Sequence, residues 1–235
     1  MLVYVDMEHE QLYEIDQALW NRSRADLLRN KYRFERLSGR PCLIVRYDRV
    51  SPAMLQGVGA VAVLVSGYYL DNSYYADHNL AGLMAVYREW RRPLLGICGG
   101  FQLLAQAYGA ELGPLGLIPS GLSQLHLAAV QRISGVEQEI GFQPVSTRIR
   151  HPLFQHLEQP PIFFQAHYWE VKEVPDGFDV LAARDLCACQ AIGHREKPLF
   201  GTQFHPDAYD DRYGDGRPVL KDCVSLRQGG GWRGG

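Results

Sequence analysis

Two short stretches carry side chains able to do covalent chemistry. One is Gly96-Ile97-Cys98-Gly99-Gly100-Phe101-Gln102, and the other is Gly201-Thr202-Gln203-Phe204-His205-Pro206-Asp207. A thiol and an imidazole that meet in a fold form an activated nucleophile and its base. A carboxylate two residues beyond the histidine can hold the ring in one tautomer and stabilise its charged form. If the chain stays extended through Pro206, the side chains of His205 and Asp207 project to the same side. Taken singly, a cysteine is ordinarily a small buried residue, and His-Pro-Asp is a common turn. The case for catalysis rests on the pairing.

These residues need elements to position them. Pro93-Leu94-Leu95 reads as a short buried strand running into Cys98, and residues 103–108 read as a helix that stops at Gly109. Cys98 therefore sits where a strand turns sharply into a helix, with glycines that let the backbone bend. This is a cysteine nucleophile elbow, and the helix N-terminus behind it favours the thiolate. His205 also lies at a strand end, and strand ends in an α/β sheet meet in a crevice. Two N–H donors are needed for the oxyanion of a tetrahedral intermediate. One is Gly99, and the other is expected from the end of the neighbouring strand at Ser66-Gly67-Tyr68, a triplet that also reads as an ordinary strand-ending turn.

The rest of the chain alternates strands and helices. Strands are expected at 2–5, 41–47, 60–65 and 93–97, with helical spacing over 11–37 (divided near 21–23), a helix starting at Ser51-Pro52, and another over 80–90. Beyond Gly109, residues 111–123 read as irregular. Further strands are expected within 139–149, at 161–164 and at 179–183, with a hairpin from 188–194 and 199–204. Residues 218–227 read as a final helix and 229–235 as a disordered tail. The pattern specifies an α/β fold: one domain over 1–227, with an open, mostly parallel sheet, mixed at its edge and covered by helices on both faces.

Composition narrows the function classes. The 235 residues are 46% hydrophobic with a formal net charge of −2, which suits a globular chain with a sizeable core. No basic run suggests nucleic acid, and no apolar stretch approaches a membrane span. The N-terminus lacks a signal-peptide pattern. Five cysteines at irregular spacing argue against a disulfide framework and for a reduced, cytoplasmic protein.

The two motifs, in this order, resemble the class I (triad) glutamine amidotransferases, whose pattern is G-x-C-x-G-x-Q followed about a hundred residues later by a strand ending in H-P-E. The resemblance runs from the first strand to about Asp207. It implies a flavodoxin-like fold in which Cys98 attacks the side-chain amide of glutamine. His205 would protonate the departing ammonia and then activate the water that hydrolyses the γ-glutamyl thioester. Gln102, Tyr168 and Trp169 would contact the substrate, with His167 only structural. No cofactor or metal is implied. Because the chain holds no nucleotide-binding synthase domain, ammonia would go to a separate synthase partner. Two other readings stand beside this one: a stand-alone cysteine hydrolase of γ-glutamyl amides or peptides, and a non-catalytic regulatory module with the same fold.

Two departures from the family pattern bear on chemistry. Asp207 stands where the family has Glu, and one methylene less leaves its oxygen about 1.5 Å short unless the backbone moves. Ser66-Gly67-Tyr68-Tyr69 stands where the family has Ser-Gly-Gly-Pro, and Tyr68 resists a positive φ. Other candidates are bland. Cys187-Ala188-Cys189 lacks a second ligand pair and reads as buried strand cysteines. His151 and His156 read as surface or capping residues. Leu80, Leu83 and Met84 read as core. Tyr68, Tyr69, Tyr74 and Tyr75 are equally a substrate or partner surface or loop packing.

Overall fold

The computed structural model describes residues 1–116 and 136–226. Five strands run parallel: β1 (Leu2–Asp6), β2 (Cys42–Arg46), β3 (Ala62–Val65), β4 (Leu94–Ile97) and β12 (Leu199–Thr202). Three more close one edge in antiparallel order: β11 (Ala191–His194), β10 (Phe178–Ala183) and β7 (Ser146–Thr147). The sheet order is β2-β1-β3-β4-β12-β11-β10-β7. The expected open, mostly parallel sheet with a mixed edge is what forms.

Strand side chains alternate between two cores, as the period of two requires. Val3, Val5, Val63 and Val65 pack with Leu55, Leu83 and Leu104. These last three come from helices α3 (Pro52–Gly57), α4 (Asp77–Glu89) and α5 (Gly99–Ala107). On the other face Leu2, Tyr4, Leu64, Leu95 and Ile97 pack with Phe34, Val219 and Leu220, from helices α2 (Gln17–Ser38) and α6 (Gly216–Ser225). Leu80 and Leu83 are buried and Met84 packs against the same core. Among the described residues no helix is long and apolar enough to cross a membrane.

From β1 the chain goes to β2 on one side, then returns to β3 on the other. That reversal opens a crevice at the carboxyl ends of β1, β3 and β4, the place where open α/β sheets bind ligands. Asp6, Ser66 and Cys98 stand at those three ends.

Several elements differ from their sequence expectation. The first helical stretch breaks at Asp16, not near 21–23. A short α1 (Leu12–Ile15) ends there, and α2 begins with the Asp16 carboxylate accepting from Leu19 N–H. Within the stretch read as irregular, β5 (Leu112–Pro114) pairs with β9 (Trp169–Val171), while 117–123 lie outside the described residues. β6 (Glu139–Pro144) pairs along its whole length with β8 (Ile162–His167) as a separate two-stranded ribbon. Cys187 and Cys189 are buried as expected, but in the connection before β11 and not on a strand. His151 is buried and caps a 3-10 turn through Nδ1, while His156 is exposed against Asp222. The stretch 229–235 lies outside the described residues.

Phe101 is fully buried where α5 crosses the sheet, its ring against the Gly201 backbone. Phe101→Ala is expected to cost about 3–5 kcal/mol, read as a lowered midpoint in urea unfolding. A loss below about 1 kcal/mol would mean that this helix–sheet seam collapses without strain.

Candidate active site

Cys98 has φ 51° and ψ −111° and is the one non-glycine residue with positive φ among those described. A side chain in that region is strained by about 1–3 kcal/mol and persists only where its surroundings over-determine it. They do so here. Cys98 N–H donates to Thr202 O at 2.7 Å, and Cys98 O accepts from Gln102 N–H at 3.0 Å, the first bond of α5. The sulfur lies 3.6 Å from Gln203 Nε2 and 3.9 Å from Ala166 O. Strand, helix and the next parallel strand thus fix the thiol at the crevice.

His205 does not end a strand. β12 stops at Thr202, and His205 is held instead by one bridge to β8, its N–H donating to Phe164 O at 2.8 Å. Nor does the chain stay extended after it. Pro206–Ala208 form a 3-10 turn, and the turn brings Asp207 Oδ1 to 3.4 Å from His205 Nδ1. The carboxylate falls short of an ordinary hydrogen bond, as the missing methylene requires. It is anchored by partners that sequence reasoning missed. Asp207 Oδ2 accepts from Asn30 Nδ2 at 2.7 Å. Arg33 donates to the carbonyls of Asp207 and, at 2.7 Å, of Tyr209. Asn30 and Arg33 are one turn apart on α2, 177 and 174 positions from their acceptor residue Asp207. No local pattern marks such partners.

Burial disfavours charge on His205, but the Cys98 sulfur and then Asp207 outweigh it and hold the imidazole up to about 10. The raised value favours the charged ring, which places a proton donor beside the Cys98 sulfur. A folded-state value above the ordinary 6.5 fixes the sign of the linkage. Its stabilisation is complete below about 6.5 and is lost as pH rises through about 10.

Two of the expected oxyanion residues, Gly67 and Gly99, lie next to Cys98. Gly99 opens α5, so its N–H has no carbonyl partner within the helix. A Cβ on Gly67 would come within 3.2 Å of both Cys98 Cβ and His205 Cε1, so a side chain there would crowd the two reactive groups. Tyr68 does not take a positive φ. Its ring lies directly on Gly99, where a Cβ would fall 2.2 Å from it, sits tilted against Tyr75 with centroids 4.8 Å apart, and its hydroxyl meets Asn72. The tyrosine cluster splits accordingly. Tyr75 is core, Tyr68 and Tyr69 line the site, and Tyr74 is exposed and lines neither cavity at Cys98.

Two cavities open at Cys98. One, of about 170 Å³, is lined by Gly99, Gln102, Tyr68, His167, Tyr168 and Trp169. It therefore gathers the three residues expected to contact substrate. Gln102 Nε2 donates to Trp169 O (3.0 Å) and Gln203 Oε1 (3.1 Å), which leaves its Oε1 to meet a ligand. The second cavity, of about 200 Å³, is reached past Gly67, Tyr68 and His205 and is lined by residues of α2.

Beneath the first cavity lies a buried network that the sequence does not announce. His167 Nδ1 is 3.0 Å from Trp169 O, and its Nε2 is 3.0 Å from Glu139 Oε2. Arg184 Nε donates to Glu139 Oε1 at 2.6 Å, and Gln190 Nε2 to Oε2 at 2.5 Å. Glu139, His167 and Cys187 offer metal-ligand atoms within 4.8 Å of one another. The donor set does not suit a cation. Both Glu139 oxygens are already taken, Arg184 brings a positive charge, and burial pushes the Cys187 thiol far above its ordinary value. The group acts as a brace under Trp169. His167 is part of it, as its structural reading anticipates.

An NMR titration of the imidazole of His205 is expected to show the charged ring through pH 7–9, with a midpoint near 10. Cys98→Ala should lower that midpoint, since it removes the strongest favourable partner. A wild-type midpoint at 6.5 would mean that sulfur and ring do not interact.

Comparison with known proteins places the chain. The pattern of the family "Glutamine amidotransferase class-I" matches residues 38–221. The chain is 34% identical over 134 residues to the glutamine-hydrolyzing GMP synthase subunit of Methanocaldococcus jannaschii, covering 57% of this chain and 60% of that protein. With its counterpart from Pyrococcus furiosus it shares 29% over 150 residues, or 63% and 69%. The chain thus spans about 60% of the length of the first of these curated relatives. A crystal structure of a GMP synthase subunit protein from Thermoplasma acidophilum superposes with a TM-score of 0.69 at 23% identity, covering 95% of this chain and 92% of that one. A glutamine amidotransferase from Methylobacillus flagellatus gives 0.64 at 15%, covering 97% and 96%. These two show the shared fold. By the match over residues 38–221, which include both Cys98 and His205, the chain belongs to the class I glutamine amidotransferase family.

Proposed function

We propose that the chain hydrolyses the side-chain amide of glutamine through a γ-glutamyl thioester on Cys98 and delivers ammonia to a separate synthase partner. The observation that carries this reading is the strained elbow at Cys98, with the His205 imidazole on one side and a helix N-terminus on the other. The sulfur attacks the amide carbon as the thiolate. Charge on the carbonyl oxygen develops toward Gly99 N–H and the backbone at Gly67 and Tyr68. His205 gives its proton to the departing nitrogen, then takes one from the water that opens the thioester. Asp207 orients the ring from 3.4 Å with Asn30 behind it. The glutamyl half fits the cavity of Gln102, Tyr168 and Trp169, whose backbone the Glu139–His167 network braces.

The synthase partner is supported by the family membership and by relatives named as glutamine-hydrolyzing subunits of GMP synthase. The regulatory-module reading finds no support in a site where thiol, imidazole and carboxylate converge.

A glutamine-mimicking diazo-ketone is expected to add once to the wild-type chain by intact mass. Excess glutamine should block the adduct, and Cys98→Ala should abolish it. In a glutaminase assay Cys98→Ala should lose at least about 10³-fold in kcat. Absence of any Cys98 adduct would overturn the reading.

A further inference from the structure

The second cavity at Cys98 shares Tyr68, Tyr69, Ala166 and Tyr168 with the first, but its remaining wall is rich in charged side chains. Four carboxylates line it, Asp6, Glu8, Asp26 and Asp207, with Arg24, Arg29 and His205 as cations. Most of these charges are matched. Arg24 holds Asp6 through both terminal nitrogens, Arg29 pairs with Asp26 at 2.8 Å, and His205 faces Asp207.

Glu8 is the exception. It is 4% exposed and has no ion pair among the described residues. Its two hydrogen bonds are long: 3.3 Å from Ser23 Oγ and 3.4 Å from Tyr69 N–H. Burial pushes its carboxyl up to about 7, so a cation alongside would keep it ionised. A further buried acceptor on the same wall, Asn30 Oδ1, lacks a hydrogen-bond partner, and Asp207 Oδ1 has only the His205 ring at 3.4 Å. Asn30 is 5% and Asp207 7% exposed. The one unpartnered donor on this wall, Arg24 Nε, belongs to a guanidinium already clamped by Asp6. Unsatisfied acceptors in excess call for a ligand rich in N–H donors. With both arginines committed, the wall offers little to a ligand that ends in a carboxylate.

We propose that this cavity receives the amine half of a γ-glutamyl amide whose amine carries a second, cationic nitrogen, with the Glu8 carboxylate as its counter-ion. The inference rests on the γ-glutamyl thioester reading and extends it to a substrate class beyond glutamine. The glutamyl half lies in the cavity of Gln102 and Trp169, and the scissile amide crosses Cys98 past Gly67. Cys98 Sγ forms the bond to the amide carbon and the C–N bond breaks. The leaving nitrogen takes the His205 proton, and the diamine departs into the Glu8 cavity. Water then cleaves the thioester, releasing glutamate and returning a proton to His205. No oxidant or co-reactant is needed.

The test compares three substrates on the full chain by amine and glutamate release: γ-glutamyl-1,4-diaminobutane, its neutral isostere γ-glutamyl butylamide, and glutamine. The diamine amide is expected to exceed the butylamide in kcat/KM by about tenfold or more, the scale of a desolvated charge contact. Glu8→Gln should collapse that ratio toward one by raising KM for the diamine amide, with the butylamide rate reporting that the fold is intact. Equal rates for the two amides, or a ratio unchanged in Glu8→Gln, would overturn the inference. So would loss of both amides together in Glu8→Gln, which is the signature of a structural role. Diazo-ketone labelling of Cys98 separates the two levels. An adduct without diamine preference sinks this inference alone, whereas no adduct and no cleavage sinks the thioester reading with it.

Discussion

One backbone conformation organises this molecule. Cys98 sits at positive φ because β4 must end and α5 must begin on the same residue, with Thr202 of the adjacent parallel strand taking its N–H. The strain is sustained only because three elements meet there. Sheet, helix and the β12 neighbour each fix one part of the peptide geometry. The same turn lifts the sulfur out of the sheet plane and aims the first amides of α5 at the space beside it. Strain, nucleophile placement and oxyanion donors are therefore consequences of a single constraint.

The electrostatics follow from that placement. Desolvation alone would push the His205 imidazole down, and the sulfur and carboxylate that flank it push it up instead. The carboxylate is the weaker partner of the two at 3.4 Å. The short carboxylate of Asp207 is itself held in place, by Asn30 at its far oxygen and by Arg33 at its backbone. The site is thus held from both faces of the sheet: Cys98 stands at the start of α5, and α2 braces Asp207 beside His205.

What the sequence shows of this and what it hides divide along contact distance. The Cys98 elbow, the strand-helix alternation and the Ser51-Pro52 helix start are written in adjacent residues, and each forms as the local chemistry dictates. His205 and Asp207 are visible as a motif, but their geometry is not. The sequence suggests an extended chain, whereas Pro206 leads into a tight turn and the bridge to Phe164 replaces a strand. Asn30, Arg33, Glu139 and Arg184 leave no trace in the sequence, since each meets a partner at least 40 positions away and matches no periodic signal. The break at Asp16 escapes a reading of periodicity because a cap of one side chain outweighs the helical spacing on either side.

The reach of α2 across the sheet has a consequence for how the molecule comes together. Closure between Asn30 and Asp207 spans 177 positions, among the most non-local contacts in the chain. Loops of that length carry an entropic cost that other contacts must first offset, so such contacts form late in folding. The elbow also depends on a distant partner, since Thr202 of β12, which takes the Cys98 N–H, lies 104 positions further along the chain. The strained turn at Cys98 and the placement of Asp207 beside His205 therefore both wait on long-range closure. Competence for chemistry arrives only with the last long-range closure, which makes the orientation of the base a reporter of completed folding.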